Sequence, residues 1–448
     1  MTTDLDEAES VPPVPAEFPV SERDQLRNVI LFGVNTGLMF LGSAVLNVGR
    51  VHAPVCKYLG ASDLVCNLPS SAYLLMAASP LVVSCLFPQV SLLKRILVVC
   101  YTSVAAITGL VAILLVSSAP NSVKIAAMIL QGAVTGACLT TVTMFLFEML
   151  SRGTEESKRG RALSLGYGRG PILGLLAALL LQLCLDGKSF GISLPAPIPY
   201  PWKFALPFAA AVPIMGLAGW LSTLFVIPVE LNEPGRKPFI SSMFGGVGDF
   251  VANRSLLLTF IIGVISFWCF SIGQNMTLYT KEVIGVPAET LVGYQLALRF
   301  GFKMAAGLCL GALLTRWGPR STMLITAVCA MSGVAWAMVA PGYWFMLGFG
   351  LLGAGELFSV YLTNYILSCS SKARTRGNMG FASLTMLPAA PAGACLGAIS
   401  DYFGQTDRAF GFRLSFGVAL GFMVIALILT MLLPSHPERQ PEPEIVDA

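Results

Sequence analysis

Arg169, Arg299, Lys303 and Glu356 each stand near the middle of a long apolar stretch of this chain. An ionisable group at hydrocarbon depth costs about 3 kcal/mol or more unless it faces water or an opposite charge, so such groups mark substrate or proton paths by default. Arg299 and Lys303 are four residues apart and share one helical face with Gln295. Two cations one turn apart repel each other unless an anion lies between them or a carboxylate pairs with one. Glu356 is the internal candidate, either as their partner in an empty site or as the carrier of a coupled proton. Arg299 and Lys303 would then hold the anionic part of a small solute, with Arg169 contributing from the other half of the chain. Three cations and one carboxylate leave a formal charge of plus two, which favours an organic anion over a cation. The competing structural reading is a salt-bridge cluster that only fixes the packing of two helices.

The elements that must position these groups are membrane helices. Hydrophobic residues make up 55% of the chain, only 12% are charged and the mean hydropathy is +0.75, outside the range of an ordinary soluble domain. Spanning helices need about 20 apolar residues, and that rule gives twelve spans: 26–48, 70–90, 96–118, 122–147, 162–185, 204–228, 255–278, 290–313, 321–340, 343–368, 379–402 and 411–433. Seventeen Lys and Arg flank the spans on the side that carries both termini, against eight on the other side. Because basic flanks are retained inside, both termini are expected in the cytoplasm and the protein in the plasma (inner) membrane. Residues 1–25 and 435–448 are polar and proline-containing, and read as disordered cytoplasmic tails. The polar stretch 230–254 divides the spans six and six, giving helical halves over 26–229 and 255–434. The net charge of +4 is then a matter of topology, and no nucleic-acid partner is expected.

Other chemistry is poorly represented. The sequence has no C-x-x-C pair, H-E-x-x-H or P-loop, and His52 and His436 fall on opposite predicted sides, so neither a metal nor a cofactor is expected. No His/Asp/Glu cluster has catalytic spacing, which argues against an enzyme. Most of the eleven cysteines stand singly in apolar helices. Cys56 and Cys66 share the predicted outer loop between spans 1 and 2, where both a small-loop disulfide and two free thiols fit the sequence.

Several local motifs resemble those of the major facilitator superfamily. Gly311-Ala-Leu-Leu-Thr-Arg316-Trp-Gly318-Pro-Arg320, between spans 8 and 9, is similar to the family's G-x-x-x-D-R-x-G-R-R loop, with Thr315 in place of the acid. Gly166-x-x-x-Gly170-Pro171-x-x-Gly174 in span 5 resembles the family's antiporter motif, in which small residues permit close helix contact and proline loosens the backbone. Span 4 reads Ile125-x-x-Met128-x-x-Gln131-Gly132, with methionine where the family pattern has arginine. A proton-coupling scheme built on that arginine does not carry over.

The resemblance implies an all-α polytopic fold of two six-helix pseudo-repeats, a membrane monomer, and a central cavity lined by spans 1, 4, 7 and 10 with parts of 2, 5, 8 and 11. Asn35, Gln131, Gln274, Asn275, Tyr361 and Asn364 lie on such spans and are candidates for hydrogen bonding to a solute; bonding between helices explains each equally well. The leading functional expectation is a secondary active transporter of a small organic anion working by alternating access. The alternatives are a proton-coupled exporter of amphipathic compounds, and a non-transporting sensor or scaffold of the same fold.

Overall fold

The computed structural model describes residues 20–46, 48–87, 89–228, 247–370 and 375–435. Residues 230–246 of the expected linker and most of both expected tails lie outside the described residues. So do the side chains of residues 311–316, and with them the motif positions Gly311 and Arg316. Among the described residues, eleven helices are long and apolar enough to cross a membrane: Glu22–Leu46, Asp63–Leu86, Val90–Val116, Asn121–Gly153, Arg161–Asp186, Trp202–Ser222, Arg254–Ile284, Trp317–Val339, Gly342–Cys369, Gly377–Phe403 and Arg408–Met431. Span 8 completes the set. It is the first part of a 48-residue helix, Val292–Val339, that breaks at Gly318 with φ 75° and ψ 172°. That backbone conformation is open to glycine and strained for other residues. Arg320, just past the break, donates from Nη2 to the Met431 carbonyl at 2.6 Å and so caps the end of span 12.

In the first half, span 3 lies on span 6 and span 4 on span 2; in the second, the Val292–Val339 helix carries both span 10 and span 12. Glycines set the closest approaches. A Cβ on Gly132 of span 4 would lie 2.9 Å from the Pro69 carbonyl carbon, and one on Gly136 would lie 2.8 Å from Tyr73 Cα, both in span 2. The matching pair is spans 10 and 8, where a Cβ on Gly350 would lie 2.7 Å from the Phe302 ring and one on Gly353 2.7 Å from Arg299 Cα. The halves meet along two seams, span 5 with span 8 and span 2 with span 11. Each is again closed by a glycine: Gly293 against Ala178 O and Gly397 against Asp63 O, each 2.6 Å from where a Cβ would stand.

Several spans are interrupted among the described residues: span 2 between Met76 and Ser79, span 7 between Phe270 and Gly273, span 10 between Gly355 and Phe358, and span 11 after Ser383 and after Ala389. A further turn follows the end of span 1 at Leu46. There the chain does not leave as a polar loop; it turns at Gly49, with φ 105°, and re-enters a short helix, His52–Tyr58, that is packed into the protein. Cys56 and Cys66 are accordingly free thiols and both fully buried, so the small-loop disulfide is not formed. In span 5 the irregularity expected at Pro171 falls one turn earlier, as a π-helical turn over Ser164–Gly168. Proline lacks an N–H and its ring clashes with the carbonyl four residues back, that of Tyr167, and a wider turn absorbs the displaced group.

The glycine contacts predict asymmetric tolerance. Gly132→Val should cost about 1–3 kcal/mol through overpacking against the span 2 backbone, read as a lower melting temperature of the detergent-purified protein. Gly216→Ala in span 6, where no atom lies within 4 Å of the added carbon, should leave it unchanged.

Candidate functional site

Glu356 stands in the break of span 10, 8% exposed and flanked by Gly353 and Gly355. Gly353 brings span 8 close, and Gly355 does the same for span 9, its Cβ position lying 2.6 Å from the Ala330 Cβ. Span 8 then presents Arg299 side-on to the carboxylate. Arg299 Nη2 donates to Oε1 at 2.6 Å and Nε to Oε2 at 2.7 Å. This bidentate fork is the strong geometry for a guanidinium and a carboxylate. Lys303, one turn further along span 8, reaches Oε2 at 3.2 Å. The three residues singled out in the second half of the sequence are therefore in direct contact.

A fourth group was not anticipated. Arg50, counted in the sequence as an outer-loop cation, is 5% exposed and reaches Glu356 Oε1 from Nη2 at 3.4 Å. Its guanidinium occupies the place where a side chain at position 273 would begin, so a larger residue there would displace it from this position. Gly49, beside it, is crowded in the same way by Gln274. The turn after span 1 and the break in span 7 thus fit against each other, and Arg50 carries the first half of the chain into the cluster. The available signal was composition: Val51 to Leu59 is mostly apolar, which suits a buried return better than a surface loop.

Around Glu356 the polar groups are incompletely used. Arg50 Nη1, Arg299 Nη1 and Gln295 Oε1 are buried without a hydrogen-bond partner among the described residues. Arg50, Arg299 and Gln295 line one narrow crevice with Thr277 and Phe349. Gln295 uses its other end to donate to Thr280 at 2.8 Å. Arg169 is exposed at the end of the π-helical turn and forms no ion pair with the described residues. It is not part of the cluster.

The remaining candidates separate by how fully they are engaged. Asn35 is completely buried; it donates to Ala218 O and Ser222 Oγ, both at 3.0 Å, and accepts from the Tyr101 hydroxyl. It ties span 1 to spans 3 and 6. Gln131 accepts from His52 Nε2 at 2.5 Å and faces Thr108 at 3.5 Å. His52 Nδ1 accepts the Gly49 N–H at 3.4 Å, which places the ring proton on Nε2. Asn275 donates to Leu396 O at 2.9 Å and Ser415 Oγ at 3.1 Å and accepts from Asn67 at 2.8 Å. These three amides are engaged in contacts between helices, one of the two readings the sequence left open. Gln274 bridges to Ser70 at 2.8 Å and keeps Oε1 unpaired. Tyr361 is buried, and Asn364 is half-buried. Of the motif glycines in span 5, Gly166 lies against Phe32 and Thr36, Gly170 against Phe40, and Gly174 against Phe300 across the seam.

One face of the molecule is tied across the halves by charge. Asp63, fully buried at the start of span 2, accepts from Arg408 Nη2 at 2.5 Å and Ser400 at 3.2 Å, while Lys57 reaches its other oxygen at 2.6 Å. Asp401 of span 11 accepts the Asp63 and Leu64 N–H groups at 3.0 and 2.8 Å, capping span 2 from the opposite half. Lys203 and Glu289 add a further pair at 3.7 Å. On the opposite face the ion pairs among the described residues, such as Lys158 with Glu22 at 2.9 Å, stay within the first half.

Solved structures with the same arrangement are transporters. A mutant of the nucleoside transporter NupG superposes with a TM-score of 0.66 at 13% identity, over 91% of this chain and 99% of that one. The chain has the major facilitator fold. An auto-inhibited POT family peptide transporter gives a TM-score of 0.63 at 13% identity over 93% and 99% of the two chains. A bacterial homolog of the human lysosomal transporter Spinster, inward-facing and occupied, gives 0.60 at 14% identity over 93% and 98%. No family model and no curated protein matches the sequence. At this level of identity the likeness establishes a multi-pass, all-helical architecture.

The charge balance around Glu356 is open to measurement. Glu356→Gln leaves three cations without their carboxylate and should cost about 3–5 kcal/mol, the range for breaking a buried pair. Lys303→Met should cost less, because Lys303 is a quarter exposed, and adding it to Glu356→Gln should recover stability in thermal melts. A larger loss in the double variant would contradict this assignment of excess positive charge.

Proposed function

We propose that this chain is a secondary transporter that carries a small organic anion across the membrane by alternating access. The observation that carries the reading is the cluster of Arg50, Arg299 and Lys303 on the single carboxylate of Glu356, with Nη1 of each arginine buried and still lacking a partner among the described residues. Arg50 and Glu356 come from a turn and a helix break in opposite halves, and transporters of this architecture bind their solutes between the halves at such interruptions. Arg169, exposed on span 5, faces the same solute from the first half in another conformation. Gln274, Gln295, Tyr361 and Asn364 contribute hydrogen bonds. The glycines of span 5 and the Gly318 turn, with Gly311, Arg316 and Arg320, allow the halves over 26–229 and 255–434 to rock about the linker 230–254.

The protein works as a monomer in the plasma (inner) membrane with both termini in the cytoplasm. The ion-paired seam around Asp63 then closes the outer face, so the described conformation opens inward. Glu356 acts as the internal counter-ion of the empty site. Protonating it would remove the one negative charge among three cations, so a coupled proton is better carried elsewhere. One observation favours the exporter of amphipathic compounds as a second reading: Tyr167 and Phe147 stack at 5.9 Å with 43% and 39% of their surfaces exposed.

Thermal stability against a ligand panel separates the two, because a ligand that binds the folded state raises its melting point. Carboxylates or phosphorylated compounds should stabilise the purified protein, and Arg299→Ala should abolish the shift. Stabilisation by lipophilic or neutral compounds alone would favour the exporter. In proteoliposomes, Glu356→Gln should retain whatever pH dependence transport shows; its disappearance would return the coupled proton to Glu356.

A further inference from the structure

The anion reading leaves open how much negative charge the site takes, and the cluster itself bears on that. Arg50, Arg299 and Lys303 supply three positive charges and Glu356 one negative, a balance of plus two. A singly charged solute would leave one cation uncompensated in a site where Arg50 and Glu356 are each more than nine-tenths buried. Uncompensated charge at that depth is costly.

The spare donors also fall into two sets. Arg50 Nη1 and Arg299 Nη1 lack partners and border the narrow crevice with Thr277, Gln295 and Phe349. Gln295 can join them: turning its amide over keeps the Thr280 contact, with the hydroxyl as donor, and offers the NH2 to the crevice. Lys303 lies at the other end of the same helical face, a quarter exposed, with one of its three protons directed at Glu356. Gln295, Arg299 and Lys303 span eight residues, or about 12 Å along span 8. Of the three cations, Arg50 is the least committed to Glu356. Its contact is the longest, at 3.4 Å against 2.6 Å for Arg299 and 3.2 Å for Lys303.

We infer that the transported solute is a small organic dianion, with one negative group between Arg50 and Arg299 and the other toward Lys303, and that Arg50 sets the preference for two charges over one. The inference rests on the anion reading above. It makes Arg50, on the return after span 1, a specificity residue. A dicarboxylate and a phosphate monoester share the required chemistry.

The test is isothermal titration of the full-length purified protein with probes of matched size and graded charge: succinate, its monoamide succinamate and neutral succinamide, and in parallel glycerol phosphate and its methyl diester. Each doubly charged probe that binds should do so about tenfold or more tightly than its singly charged analogue, the scale of a lost charge-assisted contact. Arg50→Gln should reduce that ratio to under about threefold by weakening the doubly charged probe more than the singly charged one. Binding of only one of the two series would support the inference and identify the chemical source of the dianion. Equal affinities for succinate and succinamate, and for the phosphate pair, would overturn the dianion and leave the anion reading standing. Silence of every anion, singly charged ones included, would overturn both. The wild-type charge series decides the matter even where Arg50→Gln fails to fold.

Discussion

A carboxylate shared by three cations inside a membrane protein constrains everything near it. Glu356 can be buried only because Arg299 meets it through two bonds and Arg50 and Lys303 add charge from either side. None of those partners is close in sequence except the Arg299 and Lys303 pair. Holding them together brings spans 8 and 9 against span 10, and Arg50 against the break in span 7, more closely than ordinary side chains permit. The glycines at 273, 350, 353 and 355 are the backbone's answer to that requirement. An ion pair of this kind adds little net stability over a well-packed apolar core.

The helix breaks follow from the same need. A continuous helix satisfies its own backbone and presents side chains at fixed intervals around its axis; a broken one can turn a residue such as Arg50 or Glu356 inward and bring a second chain segment against it. The turn after span 1 faces the break in span 7, and the Arg50 guanidinium fills the space left by the missing side chain at Gly273. Each half of the protein therefore depends on the other for the closure of this site.

The two faces of the molecule differ in how the halves are joined. Around Asp63 a buried carboxylate, an amide network through Asn67 and Asn275 and a helix cap from Asp401 tie spans 2, 7, 11 and 12 together. On the other face the described ion pairs hold the first half to itself. Polar seams of this type are strong when dry and weaken once water enters, which suits an interface that opens and closes better than an apolar one would.

The sequence by itself determined the number of spans, their approximate limits and the four midspan charges, because hydropathy and the cost of a buried charge act on local composition. It also placed Arg299, Lys303 and Gln295 on one face, since helical periodicity is local. Three-dimensional packing decided the rest. Arg50 read as a loop cation because a turn at Gly49 gives no hint of where the chain returns. Asn35, Gln131 and Asn275 left two readings open in the sequence because a polar residue in a span looks the same whether it meets a solute or a neighbouring helix. Arg169, alike in type to the others, stands apart from them, exposed on span 5. Burial energy is written in composition, whereas partner choice depends on which backbones can approach, and only the folded chain fixes that.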